Sequence, residues 1–171
     1  MNIYHYRRLK NVNRLNTEPI TRSYNLLEHS YMVTMLFCHF AKLELIEYDT
    51  VVLEAIMHHD ILETVTGDLP WNVKNHNGET QSSWITIEEE AVKMKSGFDA
   101  YTDQNLQNVM NDKQYLLFKT CDMLDLWIFL QEERRLGNTA LACFEIMERA
   151  KQIIYGKFRT IDDFMVYDYT F

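Results

Sequence analysis

The sequence predicts an all-α protein. Apolar residues recur at helical spacing along most of the chain, only 5 glycines and 2 prolines are present, and no stretch alternates as a β-strand does. The 171 residues are 47% hydrophobic and 13% aromatic, so the chain can form a sizeable packed core. We therefore expect one helical domain that covers residues 1–171.

Five helices follow from this spacing. In chain order they are predicted at about 26–43, 49–66, 85–95, 113–136 and 139–155. Asp49 or Thr50 supplies the N-cap of the second helix, and Gly137-Asn138 is a signal for the end of the fourth. We expect the fifth helix to end as it meets Gly156.

Three segments depart from the helical pattern. Residues 66–71 (TGDLPW) have the composition of a turn, and we expect the polar residues 74–83 to form a surface loop. Residues 158–171 are rich in aromatic and acidic side chains and pack either on the helices or on another subunit. Their aromatic side chains are more apolar surface than a monomer usually exposes, which favours a homo-oligomer. These side chains include Phe164, Tyr167, Tyr169 and Phe171.

The charge balance restricts the class of partner. With 17 basic and 25 acidic residues, the net charge is −8, which argues against broad nucleic-acid binding but leaves room for a small anionic substrate near local cations. The 3 cysteines lack CxxC and zinc-finger spacing and are typical of reduced thiols. The longest apolar stretch, at about 32–45, contains charged residues. We therefore expect a cytoplasmic protein without a membrane span.

Several polar residues interrupt the apolar faces of the predicted helices. They are His29, the run His58-His59-Asp60, and Asp122. Burial of such groups without a partner is unfavourable, so side chains from three helices could share one metal ion. Two simpler interpretations remain open at this point. The histidines could be hydrogen-bonded core residues. Asp122 could pair with Lys119, or Asp125 could take the role assigned to Asp122.

Four motifs add context to these residues. They are NRLNTEPITRSYNLLEHS at 13–30, HHDILETVTGDLPWNVK at 58–74, KTCD at 119–122 and LQEERRLGN at 130–138. In order and spacing they resemble the HD-domain metal-dependent phosphohydrolases, and most closely their bacterial 5′-deoxynucleotidase branch. TGDLP at this offset from the HD dipeptide is the most specific element. The resemblance covers about three quarters of the chain and implies an HD-domain helical bundle.

The resemblance implies the ligands of one divalent metal ion. They are His29, His59, Asp60 and Asp122. Two imidazoles and two carboxylates suit Co, Mn or Zn better than Ca. Glu63 lies four residues after His59 and, on one helical face with it, would serve as the acid or base of the reaction. His58 is expected to pack beside the site, and Glu132 and Glu133 are interpreted as a solvated helix end.

The resemblance also implies contacts with a deoxynucleotide. Arg14 would take part in catalysis by binding phosphate with its planar guanidinium. Asp68 would bind the sugar 3′-hydroxyl, and Lys74 would bind a longer phosphate chain. Arg22 is either a third phosphate contact or a solvated surface charge.

One departure from the family pattern concerns the substrate. The monophosphate-specific enzymes carry Trp directly after the first Arg, whereas this chain has Leu15, so Leu15, Thr17 and Tyr24 would line the base or sugar pocket. With Lys74, this favours a phage-type enzyme that cleaves dATP to deoxyadenosine and triphosphate. The alternatives are a 5′-deoxynucleotidase acting on deoxynucleoside monophosphates and a non-catalytic module that binds nucleotide.

Overall fold

The computed structural model describes residues 6–74, 76–94 and 103–157, and all its regular elements are helical. A short 3-10 helix, Tyr6–Asn11, precedes the α-helices. These are α1 (Leu26–Leu43), α2 (Thr50–Met57), α3 (Glu63–Thr66), α4 (Trp71–Lys74), α5 (Gly78–Met94), α6 (Asp103–Val109), α7 (Asp112–Arg135) and α8 (Leu141–Lys157). Within the described ranges no helix is both long and apolar enough to cross a membrane. The all-α prediction is confirmed.

Helix α7 is the central element. It packs against α1 on one side and α8 on the other, while α2 lies on α1. The main core lies between them and includes Phe37, Phe118, Leu130 and Ile154, all of them inaccessible to solvent. A second apolar cluster, around Leu26 and Ile61, joins the start of α1 to the chain that follows α2. Both cores therefore surround the segments that carry the predicted site residues.

Short polar side chains determine where the long helices begin. Asn25 accepts a hydrogen bond from the Glu28 N–H (3.0 Å), and Asp49 accepts from the Val51 and Val52 N–H groups. At the start of α7, Asn111 and Gln114 form a reciprocal capping box. The helix ends before Gly137, whose φ of +92° suits glycine. The predicted ends of α1 and α7 agree with the structure to within about two residues.

The prediction of one helix over 49–66 is wrong. Helix α2 ends at Met57, and α3 begins only at Glu63. Between them, hydrogen bonds join residues three apart, from the Ile61 N–H to the His58 carbonyl and from the Glu63 N–H to the Asp60 carbonyl. In such tight turns the side chains of residues i and i+3 eclipse, so Asp60 and Glu63 project from the same edge of the chain.

Other predictions need correction or concern residues that the structure does not describe. Helix α5 begins at Gly78, within the predicted loop, because the Asn77 side chain accepts from the Thr80 N–H (2.9 Å) and caps it. Helix α6 was not predicted, and α8 continues through Gly156. The aromatic segment 158–171 lies outside the described residues. One domain over 1–171 stays a prediction.

Candidate active site

Four side chains from three segments bring their donor atoms to one point. His29 comes from α1, His59 and Asp60 from the turn after α2, and Asp122 from α7. His29 Nε2 lies 3.2 Å from His59 Nε2, 3.2 Å from Asp122 Oδ1 and 3.6 Å from Asp60 Oδ2. His59 Nε2 lies 3.3 Å from Asp60 Oδ2. The two histidines are buried, so water does not separate these groups.

The hydrogen bonds of Nδ1 in the two imidazoles indicate which ring nitrogen is available to a ligand. His59 Nδ1 lies 2.7 Å from the Ile56 carbonyl oxygen, and His29 Nδ1 lies 2.7 Å from an oxygen of the Asp125 carboxylate. Carbonyl and carboxylate oxygens only accept, so each Nδ1 carries a hydrogen, and Nε2 is the nitrogen of each ring that faces the cluster. The two Nε2 atoms thus face each other beside two carboxylates.

This arrangement fits a metal ion. Ligand atoms bound about 2.1 Å from one ion lie about 3.0–3.5 Å apart in tetrahedral or octahedral geometry, close to the separations observed here. His29, His59 and Asp122 could hold a metal ion, and Asp60 faces the same point. Burial alone would raise the pKa of Asp122, but the Lys119 ammonium, 3.4 Å away, holds it well below its usual range. Asp122 is therefore an ionised ligand at neutral pH.

Behind the cluster, a buried hydrogen-bond chain orients His29. The Tyr24 hydroxyl donates to Asp125 Oδ2 (2.6 Å), the same oxygen that accepts from His29 Nδ1. All three side chains are buried. A carboxylate that holds the outer nitrogen of a ligand histidine fixes its tautomer and its ring orientation. The sequence prediction considered Asp125 only as a competitor of Asp122, although the two lie one helical turn apart on α7.

Arg14 lies beside the cluster on the loop that precedes α1. Its Nη1 donates to Asp60 Oδ2 (2.6 Å), and its Nη2 lies 4.0 Å from Asp122 Oδ1. The Arg14 N–H donates to the Tyr24 carbonyl (2.7 Å), and Asn13 and Asn25 form an isolated antiparallel bridge, so the loop is closed at its base. The guanidinium therefore has a fixed place at the edge of the cluster.

Glu63 and Lys74 form a second pair at the site. Lys74 Nζ donates to Glu63 Oε1 (2.8 Å), whereas Glu63 Oε2 is buried with no hydrogen-bond partner among the described residues. Burial raises the pKa of Glu63 to about 8, with a further contribution from the Asp60 charge, while Lys74 and Arg14 oppose the rise. Burial thus favours the protonated form of this carboxyl group.

A cavity of about 820 Å³ opens from the cluster. Among the charged residues that line it are Arg14, Asp60, Glu63, Asp68, Lys74 and Asp122. The lining also includes Leu15 and apolar residues of α7 and α8, among them Met123, Leu126, Ile146 and Ile153, together with Glu145 and Arg149 of α8. The volume lies within the range of small-molecule sites, about 300–1,000 Å³. The cavity thus combines charged and apolar side chains in a space large enough for a nucleoside.

Known proteins are similar to this chain in sequence and in fold. Residues 3–167 match the family described as 5′-deoxynucleotidase YfbR-like. A 5′-deoxynucleotidase of Enterobacter sp. (strain 638) is 30% identical over 148 residues, which cover 78% of this chain and 73% of that protein. The YfbR of Photorhabdus temperata is 29% identical over 146 residues, or 79% of this chain and 74% of that protein. The chain belongs to the YfbR-like 5′-deoxynucleotidase family.

Solved structures confirm the fold of this HD-domain phosphohydrolase. An HD-domain phosphohydrolase from Listeria innocua superposes with a TM-score of 0.70 at 21% identity, over 90% of this chain and 78% of that one. The cyanophage S-2L HD phosphohydrolase DatZ, bound to dA and one catalytic Zn²⁺ ion, gives a TM-score of 0.68 at 20% identity. That match covers 92% of this chain and 86% of DatZ. The HD-domain bundle expected from the motifs is thus confirmed.

The structure brings most of the predicted site residues of the enzyme together and separates two of them. Arg14, Leu15, Thr17, Glu63, Asp68 and Lys74 line the cavity with Asp60 and Asp122. Tyr24 does not line it, because its ring is buried behind His29. Arg22 lies outside the cavity and pairs with Glu132 (2.6 Å) and Glu133 (3.4 Å). We therefore leave Tyr24 and Arg22 out of the proposed substrate contacts. His58 stacks on Tyr6 beside the site.

Sequence reasoning assigns no role in the site region to Lys119 or Glu133. Lys119 lines the cavity, one turn before Asp122 on α7. Glu133 is fully buried rather than solvated. The i, i+3 spacing of Lys119 and Asp122 was a usable signal in the sequence. The burial of Glu133 depends on a loop that contacts it from more than a hundred residues away, and no local pattern predicts such a contact.

The support that Asp125 gives to His29 can be tested by substitution. Asp125→Asn keeps the shape of the side chain but weakens its hold on His29 Nδ1, so metal affinity should fall about 10–100-fold. Competition with a chromophoric chelator measures this affinity, and circular dichroism checks the fold. Asp112→Asn, an exposed position on the same helix, should bind metal as the parent does. Equal affinity in the two variants would contradict a supporting role for Asp125.

Proposed function

We propose that this enzyme is a metal-dependent 5′-deoxynucleotidase that releases phosphate from deoxynucleoside monophosphates. The observation that carries the proposal is the convergence of His29, His59, Asp60 and Asp122 beside Arg14, at the inner end of a cavity of about 820 Å³. Membership of the YfbR-like family and the named bacterial relatives support the monophosphate as substrate.

The dATP triphosphohydrolase favoured by the sequence pattern is less well supported. That interpretation rested partly on Lys74 as a contact for a long phosphate chain. In the structure the Lys74 ammonium is engaged by Glu63 at 2.8 Å and lies over the Trp84 ring at 5.0 Å. The likeness to DatZ is at the level of the fold, at 20% identity. The replacement of the family tryptophan by Leu15 concerns the nucleoside end of the cavity rather than the number of phosphates.

The proposed cofactor is one divalent transition metal ion, Co, Mn or Zn, held by His29, His59, Asp60 and Asp122. The mixed nitrogen and oxygen donor set suits these ions better than Ca. DatZ was solved with one catalytic Zn²⁺ ion, which supports a single ion here. When bound, such an ion polarises a phosphoryl oxygen and lowers the pKa of coordinated water.

The side chains of the enzyme have separate roles in the proposed reaction. Arg14, held by Asp60, presents its planar guanidinium to the phosphate oxygens and orients the group for in-line attack by water. Lys119 adds a second positive charge at the same end of the cavity. These cations stabilise the charge that accumulates on the phosphoryl oxygens in the transition state.

Glu63 is the proposed general acid. Lys74 occupies Oε1, so the proton that the raised pKa retains is assigned to the unpartnered Oε2. Transfer of this proton to the 5′-oxygen would let the deoxynucleoside leave as an alcohol. Asp68, which lines the same end of the cavity, is proposed to bind the 3′-hydroxyl, and Leu15 and Thr17 to contact the sugar or base.

The remaining expectations about the enzyme stay predictions. We propose that it works in the cytoplasm, in line with its 3 cysteines lacking disulfide spacing. The homo-oligomer was inferred from residues 158–171, which lie outside the described part of the chain. The proposed partner is a small deoxynucleotide, and neither nucleic acid nor membrane is proposed.

The substrate is tested by incubating the purified protein with Mn or Co and dAMP, AMP or dATP in separate reactions. Anion-exchange chromatography of the products should reveal phosphate and deoxyadenosine from dAMP, much less hydrolysis of AMP, and intact dATP. Deoxyadenosine with triphosphate from dATP would establish the phage-type reaction instead. If all four deoxynucleoside monophosphates stay intact with Mn, Co and Zn, the non-catalytic binding module would replace this proposal.

The role of Glu63 predicts a separation of metal binding from turnover. In Glu63→Gln the proton donor is lost while the metal ligands remain, so hydrolysis should fall about 100–10,000-fold with unchanged metal content. Elemental analysis and initial rates measure the two quantities. The matched control is Glu90→Gln, which breaks an exposed ion pair with Lys93 and should keep full turnover. Loss of metal from Glu63→Gln would make Glu63 a ligand and would reject its role as the acid.

A further inference from the structure

The loop that carries Arg14 is fixed at two places. We name residues 13–25 the arginine loop. At its base, the Arg14 N–H donates to the Tyr24 carbonyl (2.7 Å), and the Leu26 N–H donates to the Val12 carbonyl (3.0 Å). Its tip, residues 19–22, contacts the far end of α7 and the turn before α8 through Glu133 and Asn138. The catalytic arginine and the cavity lining therefore lie on a segment held at both base and tip.

Glu133 makes the contact at the tip. Its Oε2 accepts from the Thr21 N–H (2.5 Å) and from Asn138 Nδ2 (2.9 Å), and its Oε1 accepts from the Arg22 N–H (3.1 Å). Asn138 Nδ2 also donates to the Pro19 carbonyl (2.9 Å). We name this pair of side chains the Glu133 clamp. Three of its hydrogen bonds go to the backbone of the arginine loop, at Pro19, Thr21 and Arg22.

Glu133 is a charged side chain in the interior of the protein. The Glu133 side chain is 0% exposed, and burial of a carboxylate is unfavourable unless hydrogen bonds compensate. Burial alone would raise the pKa of Glu133, but the hydrogen bonds from Asn138 and Thr21 lower it below its usual range. The group is therefore ionised at neutral pH, and its hydrogen bonds are charge-assisted.

The segment between base and tip contains a strained residue of the cavity. Leu15 has a φ of +53°, a left-handed conformation that is unfavourable for a branched side chain. Such a conformation persists only where the surrounding structure enforces it. Leu15 and Thr17 both line the cavity. The Glu18 N–H donates to the Leu15 carbonyl (2.9 Å), and the Ile20 N–H donates to the Glu18 carbonyl (2.8 Å), which links Leu15 to the tip. Release of the tip would allow Leu15 to relax and change the shape of the cavity.

We propose that Glu133 is a positioning residue of the enzyme, which holds the arginine loop so that Leu15 and Thr17 keep the shape of the nucleoside end of the cavity. The proposal rests on the proposed function in one respect, namely that the nucleotide contacts these two residues. Glu133 touches neither the donor atoms of the cluster nor the cavity. Its effect should therefore fall on substrate affinity more than on the chemical step.

The test compares two adjacent glutamates. Glu133→Gln places an amide where the Thr21 and Arg22 N–H groups need acceptors, whereas Glu132→Gln removes only the exposed partner of Arg22 Nη2 (2.6 Å). In Glu133→Gln, KM for dAMP and the dissociation constant of dAMP should both rise about tenfold or more. Metal affinity and kcat should change less than about threefold, and Glu132→Gln should behave as the parent. Hydrogen exchange at the Thr21 and Arg22 amides should be faster in Glu133→Gln only.

A second variant covers the case in which Glu133→Gln does not fold. Asn138→Ser keeps a side-chain oxygen that can accept from the Ala140 N–H (3.0 Å in the parent) but removes the amide donor to Glu133 and Pro19, so it should raise KM in the same direction. Faster exchange at the tip with unchanged KM and dissociation constant would overturn the proposal. A parent protein that binds dAMP without hydrolysing it would reject the proposed function, while the dissociation constants of the variants would still decide the role of Glu133.

Discussion

Two imidazole nitrogens and two carboxylate groups lie within about 3.6 Å of one another in the interior of this protein, and much of the fold holds that group together. Nε2 of His29 and His59 lie 3.2 Å apart, with Asp60 and Asp122 oxygens at similar distances. Core packing of α1, α2 and α7 brings the donors together, and the Ile56 carbonyl and Asp125 orient the rings from behind. A divalent cation bound between these donors would compensate for the burial of polar groups at the centre of an apolar bundle.

The break after α2 gives this site its chemistry. An unbroken helix would direct His59 and Glu63 along one face, whereas the tight turn directs His59 inward and places Asp60 and Glu63 along one edge. Asp60 can then face the cluster and also fix Arg14, and Glu63 can retain a proton in a buried position beside Lys74. The proposed metal ligand, phosphate contact and proton donor thus depend on a few irregular residues held between regular helices.

The sequence predicts those features that depend on local pattern. The apolar spacing and end signals of α1, α7 and α8 locate these helices well, and the order of the motifs identifies the family. The break at His58 was missed because it depends on side chains turning toward a site formed by other helices. Glu133 was taken as solvated because its partners, Thr21 and Arg22, lie far away in the chain. Long-range hydrogen bonds of this kind leave no periodic signal.

The central claim is that the four converging side chains bind one divalent ion, and metal stoichiometry tests it most directly. After equilibrium dialysis against Mn or Zn, elemental analysis of the parent should find one ion per chain. Asp122→Ala removes one carboxylate from the cluster and should retain little or none, while circular dichroism reports an intact helical fold. A parent without bound metal, or an Asp122→Ala variant that keeps a full equivalent, would contradict the account.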